Sequence, residues 1–559
     1  MKKIVKLSLI SMISTMLFLG SCGGTNNSGS KDASVLTIYK ARPTYMVDGT
    51  DDEVVRKAIE DKFYEDTGER ISLKVKLYSD NELTQKVDIN WSKRSSDMDG
   101  VIHYISEDAG SAIKKYAAEP NTVREVPTYL EQFGSSVLEK IREGDEEHIG
   151  ERSAYFPYSD GSLHMNAIPS VERESGYVMV VRKDWMKQLY DAGKISTNPE
   201  DVDVSNDNYR SMKFSEFDAY LRACKENIST VRYAIEGAPW ALNWLLAGVF
   251  DGDMYNTQID ENGAYVPAAY TKENAELLNQ LWVWAKEGVW ENESINRTDS
   301  SRETDLLAGF TAVCCSYPDV ENMITLMRKF QEANSLGELM VIAPLAKEDG
   351  TVNGNMKKLR ASSGLIMPEK AGSDSEMVVK YLNWLYSYVE NYELAKYGVK
   401  GVHWQDGEDY VYNGKTYKTW VYPDGKEDVF NANNPYSGMY CILDNVNVSN
   451  RMRGDYNTLE KRLYVLATQE IPMYSSNDIE GVWLPNIPRD LKSSYNKLEG
   501  TFVDKIRGDA WAGLGETSIS ERMAEHCVWG HTYFPDVFEF YDSSIKGSLA
   551  SFNEIFSNR

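Results

Sequence analysis

Between residues 34 and 106 the hydrophobic pattern switches repeatedly between strand and helix periods, and this alternation constrains the fold more than any other feature of the chain. Val35-Leu36-Thr37-Ile38-Tyr39 reads as a short strand. From Asp51 to Asp66 the apolar residues Val54, Val55, Ala58, Ile59 and Phe63 recur at helical spacing. Asp51 and Asp52 stand where the helix dipole favours negative charge, and Thr67-Gly68 marks the stop. Ile71 to Leu77 alternates as a strand, about 80–92 is helical, and Val101 to Ile105 is a third strand. Strand, helix, strand, helix, strand predicts a parallel α/β sheet with right-handed crossovers. Beyond about residue 200, helical stretches dominate near 214–226, 238–249, 272–288, 319–333, 374–395 and 488–507. Gly176–Val181 and Gly309–Cys315 read as strands crossing between two lobes. Tyr410 to Tyr417, with Asn413-Gly414 at its centre, predicts a β-hairpin within a surface insertion at 405–438.

The 559 residues carry 60 Lys plus Arg against 85 Asp plus Glu, a net charge of -25. So acidic a chain is unsuited to phosphate backbones, so nucleic acid is not an expected partner. Its 35 Tyr and 13 Trp serve either core packing or ligand stacking, and composition does not choose between them. Cys224, Cys314, Cys315, Cys441 and Cys527 match no zinc spacing, and buried free thiols are expected. Asp251-Gly252-Asp253 and Asp97-Met98-Asp99-Gly100 do not complete a calcium loop. No cofactor and no metal is expected. There is no nucleophile elbow, HExxH or Walker loop.

At the N-terminus, Lys2, Lys3 and Lys6 precede the run Leu7 to Leu19, as in a signal peptide. Leu19-Gly20-Ser21-Cys22 resembles a bacterial lipobox, which implies cleavage before Cys22 and a lipid on its thiol. Residues 23–33, GGTNNSGSKDA, have the composition of a flexible tether. The expectation is a lipid-anchored protein on the extracellular face of a bacterial membrane.

Four further stretches carry a family resemblance. They are Asp160-Gly161 to Ile168-Pro169 with Val181-Arg182-Lys183-Asp184-Trp185; Tyr270-Thr271-Lys272-Glu273 to Lys286-Glu287-Gly288; Leu307 to Ala312; and Tyr381-Leu382-Asn383-Trp384 continued to Tyr397-Gly398-Val399-Lys400-Gly401-Val402-His403-Trp404. Together they resemble the extracellular solute-binding proteins of carbohydrate ABC transporters (solute-binding protein family 1), in particular the LplA-like lipoproteins. Lys400 departs from the pattern, which more often has an acid there.

The resemblance implies a two-lobed, periplasmic-binding-protein-like α/β fold of the class II type, with hinge strands and a central cleft. It implies a monomer with no catalytic activity that captures a carbohydrate, in particular an oligosaccharide, and delivers it to ABC permease subunits. The boundaries expected are a signal peptide over 1–21 and a tether over 22–33. A first lobe would comprise 34–172 and 316–364, and a second 173–315 and 365–559. Ligands of open α/β sheets bind beyond the carboxyl ends of strands. That rule selects Arg42 and Tyr45 after the first strand, Glu172 and Arg173 at the first crossing, Trp240 at a helix start, Tyr317 after Cys315, and Arg360 before the last hinge strand. A sugar stacks its C–H faces on aromatic rings, for which Trp240 is the leading candidate. Trp404, Trp483 and Trp511, in loop-like contexts, and His403 complete the candidate set, each with a structural reading beside the ligand one. Trp244 and Trp384 read as core. A secreted glycoside hydrolase and a glycan-binding SusD-type lipoprotein stay open as alternatives. The second should be helical throughout, against which residues 34–106 argue.

Overall fold

The computed structural model describes residues 33–557 apart from 42–47, 94–99, 106–114, 146–147, 173–178, 256, 292, 294–295, 316–319, 357–362, 370–373, 427–434, 471–472, 475–478 and 480. Nine strands build its two main sheets: β1 (Ser34–Ala41), β2 (Ile71–Tyr78), β3 (Val101–Ile105), β4 (Ala167–Pro169), β5 (Met179–Arg182), β6 (Ile235–Gly237), β7 (Val313–Cys315), β8 (Leu339–Ile342) and β9 (Ser363–Ile366). The first sheet has the order β2-β1-β3-β9-β4. β1 pairs in parallel with β2 and β3, and β9 runs antiparallel between β3 and β4. The second has the order β8-β5-β7-β6, with β6 and β7 parallel and β5 antiparallel to both of its neighbours. The two-lobed α/β architecture follows from these two separate sheets, each with its own core.

Alternation sorts the side chains of the first sheet. Leu36, Ile38, Val101, Ile168 and Leu365 face one core, while Tyr39, Ala41, Ile102, Tyr104 and Ile366 face another. Because both faces are covered, β1 reads as a nearly continuous apolar run. The helix Asp52–Thr67 buries Val55, Ile59 and Phe63, one turn apart, and ends at Gly68, whose φ of 72° lies in the left-handed region that glycine adopts without strain. Phe63 meets Trp384 edge-on at 5.5 Å, and Trp384 donates to Asp66 Oδ2 at 2.7 Å. Trp384 is thus a core residue, as its spacing suggests. The second lobe packs the helices Lys183–Asp191, Phe214–Asn227, Pro239–Phe250 and Lys272–Lys286 around fully buried Trp284 and Trp290.

The packing divides the chain differently from the expected lobe boundaries. Residues 320–342 belong to the second lobe, because β8 completes its sheet against β5 and Met340 and Ile342 enter its core. Residues 365–367, 378–399 and 436–443 belong to the first, because β9 is inserted between β3 and β4, whereas Tyr410 and Tyr417 pack against the second lobe's Val180–Val341 core. The chain then continues into Tyr381, Tyr392, Tyr440 and Leu443 of the same core. Leu498 to Phe538 return to the second lobe, and Phe552 ends in the first.

The hairpin forms as Tyr410–Tyr412 against Lys415–Tyr417, with Asn413 and Gly414 both at positive φ. The stretch near 374–395 is two helices, Asp374–Ser387 and Val389–Tyr397. Cys224, Cys314, Cys315 and Cys441 are buried free thiols and Cys527 is half-buried. Among the described residues no helix is long and apolar enough to cross a membrane.

Candidate interlobe site

The parallel strands of both sheets deliver their carboxyl ends to the side from which the chain crosses between lobes. β1 and β3 end there at Ala41 and Ile105, and β6 and β7 at Gly237 and Cys315. Three crossings leave from the same side: Pro169 to Met179, Ile342 to Ser363, and Leu443 to Met452. They are hydrogen-bonded side by side. Ser170 N donates to Ser363 O at 2.9 Å, and Val171 pairs with Asn445 through Val171 N to Asp444 O at 2.9 Å and Val446 N to Val171 O at 2.8 Å. Glu172 closes this seam, accepting from Ser363 Oγ at 2.8 Å and Ser170 Oγ at 3.2 Å. Its half-buried carboxylate is therefore fixed in place between two crossings.

Charge is buried immediately behind the seam. Leu36, Ile38 and Lys40 share one face of β1, so Lys40 points inward, where its Nζ donates to Cys441 O at 2.5 Å. Burial pulls the Lys40 ammonium below its ordinary pKa. Beside it Asp444 stays exposed, and Lys396, 3.1 Å away, together with Lys40 holds its carboxyl below the usual range. His103, on the adjacent strand and the same face, is pushed down to about 3 by burial and by Lys40. Its Nδ1 has no hydrogen-bond partner among the described residues.

In the second lobe, β6 runs through Ala238 directly into the helix Pro239–Phe250, whose proline stands at the first turn, where no N–H is needed. Trp240 and Trp244, one turn apart on this helix, meet at 4.6 Å and 62°, both half-buried. Trp240 and Trp244 both pack against the second-lobe core without being fully enclosed. One residue before the end of β6, Glu236 is buried as one of three carboxylates around one guanidinium. Arg297 Nη1 lies 3.0 Å from Glu236 and 2.9 Å from Glu291, and Nη2 lies 2.6 Å from Asp305. Burial, then the Asp305 carboxyl, push Glu236 up to about 8. Among the described residues no group of acids, histidines and cysteines has the arrangement of a metal site.

The candidates from sequence distribute unevenly. Glu172 lies in the seam, and Trp240 follows the end of β6 by three residues, half-buried against the second-lobe core. Trp483 is tied to the first lobe, stacked on Phe156 at 5.5 Å and donating to Ser153 O at 2.8 Å. Trp511 lies half-buried in the second lobe beneath the Arg507 guanidinium at 4.9 Å. His403 and Trp404 are packing residues of the first lobe, and at 3% and 2% exposure neither leaves a ring face open to a ligand. Trp404 donates to Gly398 O at 2.9 Å. His403 Nδ1 accepts from Val399 N at 3.0 Å, which leaves the proton on Nε2 to reach Asp51 at 3.2 Å. Arg42, Tyr45, Arg173, Tyr317, Arg360 and Cys22 lie outside the described residues. The burial of Lys40 and the Glu236–Arg297 cluster escaped the sequence reading. The inward phase of Lys40 in an apolar strand was the available signal.

The sequence matches no family model and no curated protein. The fold, in contrast, is matched along nearly its whole length. A solved extracellular solute-binding protein from Bifidobacterium longum subsp. infantis covers 93% of this chain and 99% of its own, with a TM-score of 0.61 at 12% identity. The N-glycan transport solute binding protein NgtS of Streptococcus pneumoniae covers 92% and 99%, at 0.59 and 12%. The alginate-binding protein AlgQ2 covers 92% and 99%, at 0.57 and 14%. The chain has the two-lobed α/β fold of these proteins.

Proposed function

We propose that this chain is a solute-binding protein that captures a carbohydrate, in particular an oligosaccharide, between its lobes and passes it unchanged to an ABC importer. The observation that carries the reading is the half-buried Trp240–Trp244 pair, set beyond the carboxyl end of β6 in a two-lobed fold. Indole faces at a strand end suit the C–H faces of a sugar ring, and the fixed Glu172 carboxylate suits a hydroxyl donor. The solved proteins of the same fold include binders of alginate, N-glycans and kestose, which supports a glycan as the cargo. Arg42, Tyr45, Arg173, Tyr317 and Arg360 are proposed to complete the polar lining. Each lies within three residues of a described strand end or seam residue, except Tyr45, which lies four beyond Ala41. Cys22 is proposed to hold the lipid that keeps the protein at the membrane. Ligand bridging both lobes would shift the population toward a closed form.

A thermal-shift screen of the purified protein against neutral and uronic-acid oligosaccharides tests this. Ligand at about 100 times its dissociation constant adds about 2.7 kcal/mol of stability. A shift with the glycan recovered intact supports capture. A shift with the glycan cleaved would replace this reading with a hydrolase, and silence across the panel would remove carbohydrate as the cargo.

A further inference from the structure

The C-terminal helix Pro535–Ser557 is docked at both ends, on different lobes. Its first turns belong to the second lobe: Phe538 enters that core and meets Tyr270 edge-on at 4.8 Å, and Asp542 Oδ1 accepts from Tyr265 N at 2.9 Å. Its last turns belong to the first lobe: Phe552 is buried there, edge-on to Tyr155 at 5.6 Å, and Phe556 lies flat on His148 at 4.2 Å. At 1.5 Å per residue the helix is about 35 Å long. It connects the lobes independently of the crossings at the seam. A straight helix pinned at both ends resists rotation of one lobe against the other, unless it bends or one end lets go.

Between these ends Ile545 packs against Tyr265 and Ile479 and Ser548 is buried, while the rest of the segment Ser543-Ser544-Ile545-Lys546-Gly547-Ser548 is poor in strong helix formers and Ser543, Lys546 and Gly547 face outward. Packing does not demand the glycine. Gly547 is exposed, and a Cβ built there meets nothing within 4 Å. Glycine in a helix interior weakens it relative to alanine, and Gly/Ser pairs are where helices bend. We propose that the C-terminal helix is a strut whose Ser543–Ser548 segment is a flexure, and that this flexure sets how freely the lobes move. The inference deepens the capture reading, since it concerns the closing motion on which that reading relies.

The test is made on the full chain without any glycan, so its failure is separable from a failure of sugar binding. Spin labels at Val54→Cys and Leu336→Cys, both exposed and on opposite lobes, report the interlobe distance in a Cys527→Ser background. Gly547→Ala should raise the melting temperature and lower the population of the minor interlobe state about fivefold. Asn553→Ala, on the same helix outside the flexure, should leave the distance distribution unchanged. The double variant Phe552→Ala/Phe556→Ala, which removes both first-lobe contacts of the helix, should broaden it. A distribution unmoved by Gly547→Ala overturns the flexure, and one unmoved by Phe552→Ala/Phe556→Ala overturns the strut.

Discussion

Lys40 and His103 show how much one inward-facing polar residue can matter. Both sit on strands whose other inward residues are apolar, and both are buried beside the seam. The folded protein keeps His103 neutral down to about pH 3, whereas the unfolded chain takes up a proton below about 6.5. The stability tied to the neutral ring is therefore present above pH 6.5 and lost as pH falls toward 3, at up to about 1.4 kcal/mol per unit. Urea unfolding between pH 6.5 and 4.5 should show this slope in the wild type and a flatter one in His103→Gln; equal slopes would contradict the assignment. At the proposed ligand wall, Trp240→Ala should raise the dissociation constant of any glycan hit about tenfold or more, with an unchanged circular dichroism spectrum. An unaltered constant would remove Trp240 from the site. His403-Trp404 carries the opposite lesson. The motif is conspicuous in sequence, but the residues around it enclose it, and enclosure is not written in the motif itself.

Elements are more legible than residues. The strands at 71–78 and 101–105 and the helix at 52–67 follow from period and stop signals that act over a few neighbouring residues. The hairpin at 410–417 follows from Asn413-Gly414 for the same reason. Pairing between elements is not local in this sense. Nothing in Ser363–Ile366 announces that it will lie between β3 and β4, and this insertion is what carries the following chain into the first lobe. The consequence for stability is concentrated at contacts such as Phe63, which is fully buried where the helix 52–67 meets Tyr381 and Trp384. Phe63→Ala should cost about 3–5 kcal/mol in urea unfolding at pH 7. A loss under about 1 kcal/mol would mean that the two helices can close the gap, contrary to the packing described.

At the scale of the whole molecule the net charge of -25 acts on whatever approaches. A neutral oligosaccharide is indifferent to it. A uronic-acid oligosaccharide is repelled at long range. Its association rate should therefore rise as salt is raised from 10 to 150 mM on the order of the screening length, while the rate for a neutral glycan stays flat. Stopped-flow measurement with one ligand of each kind decides this, and a falling rate for the acid would show that local positive charge governs the approach. The insertion of β9 has one more consequence, which concerns synthesis. A ribosome makes β3 and β4 long before residues 363–366, so a chain of about 300 residues has both strands and no partner to lay between them. Bare strand edges invite the wrong neighbour. The first lobe cannot be completed in the order in which it is made, and the growing polypeptide needs protection until its second half has emerged.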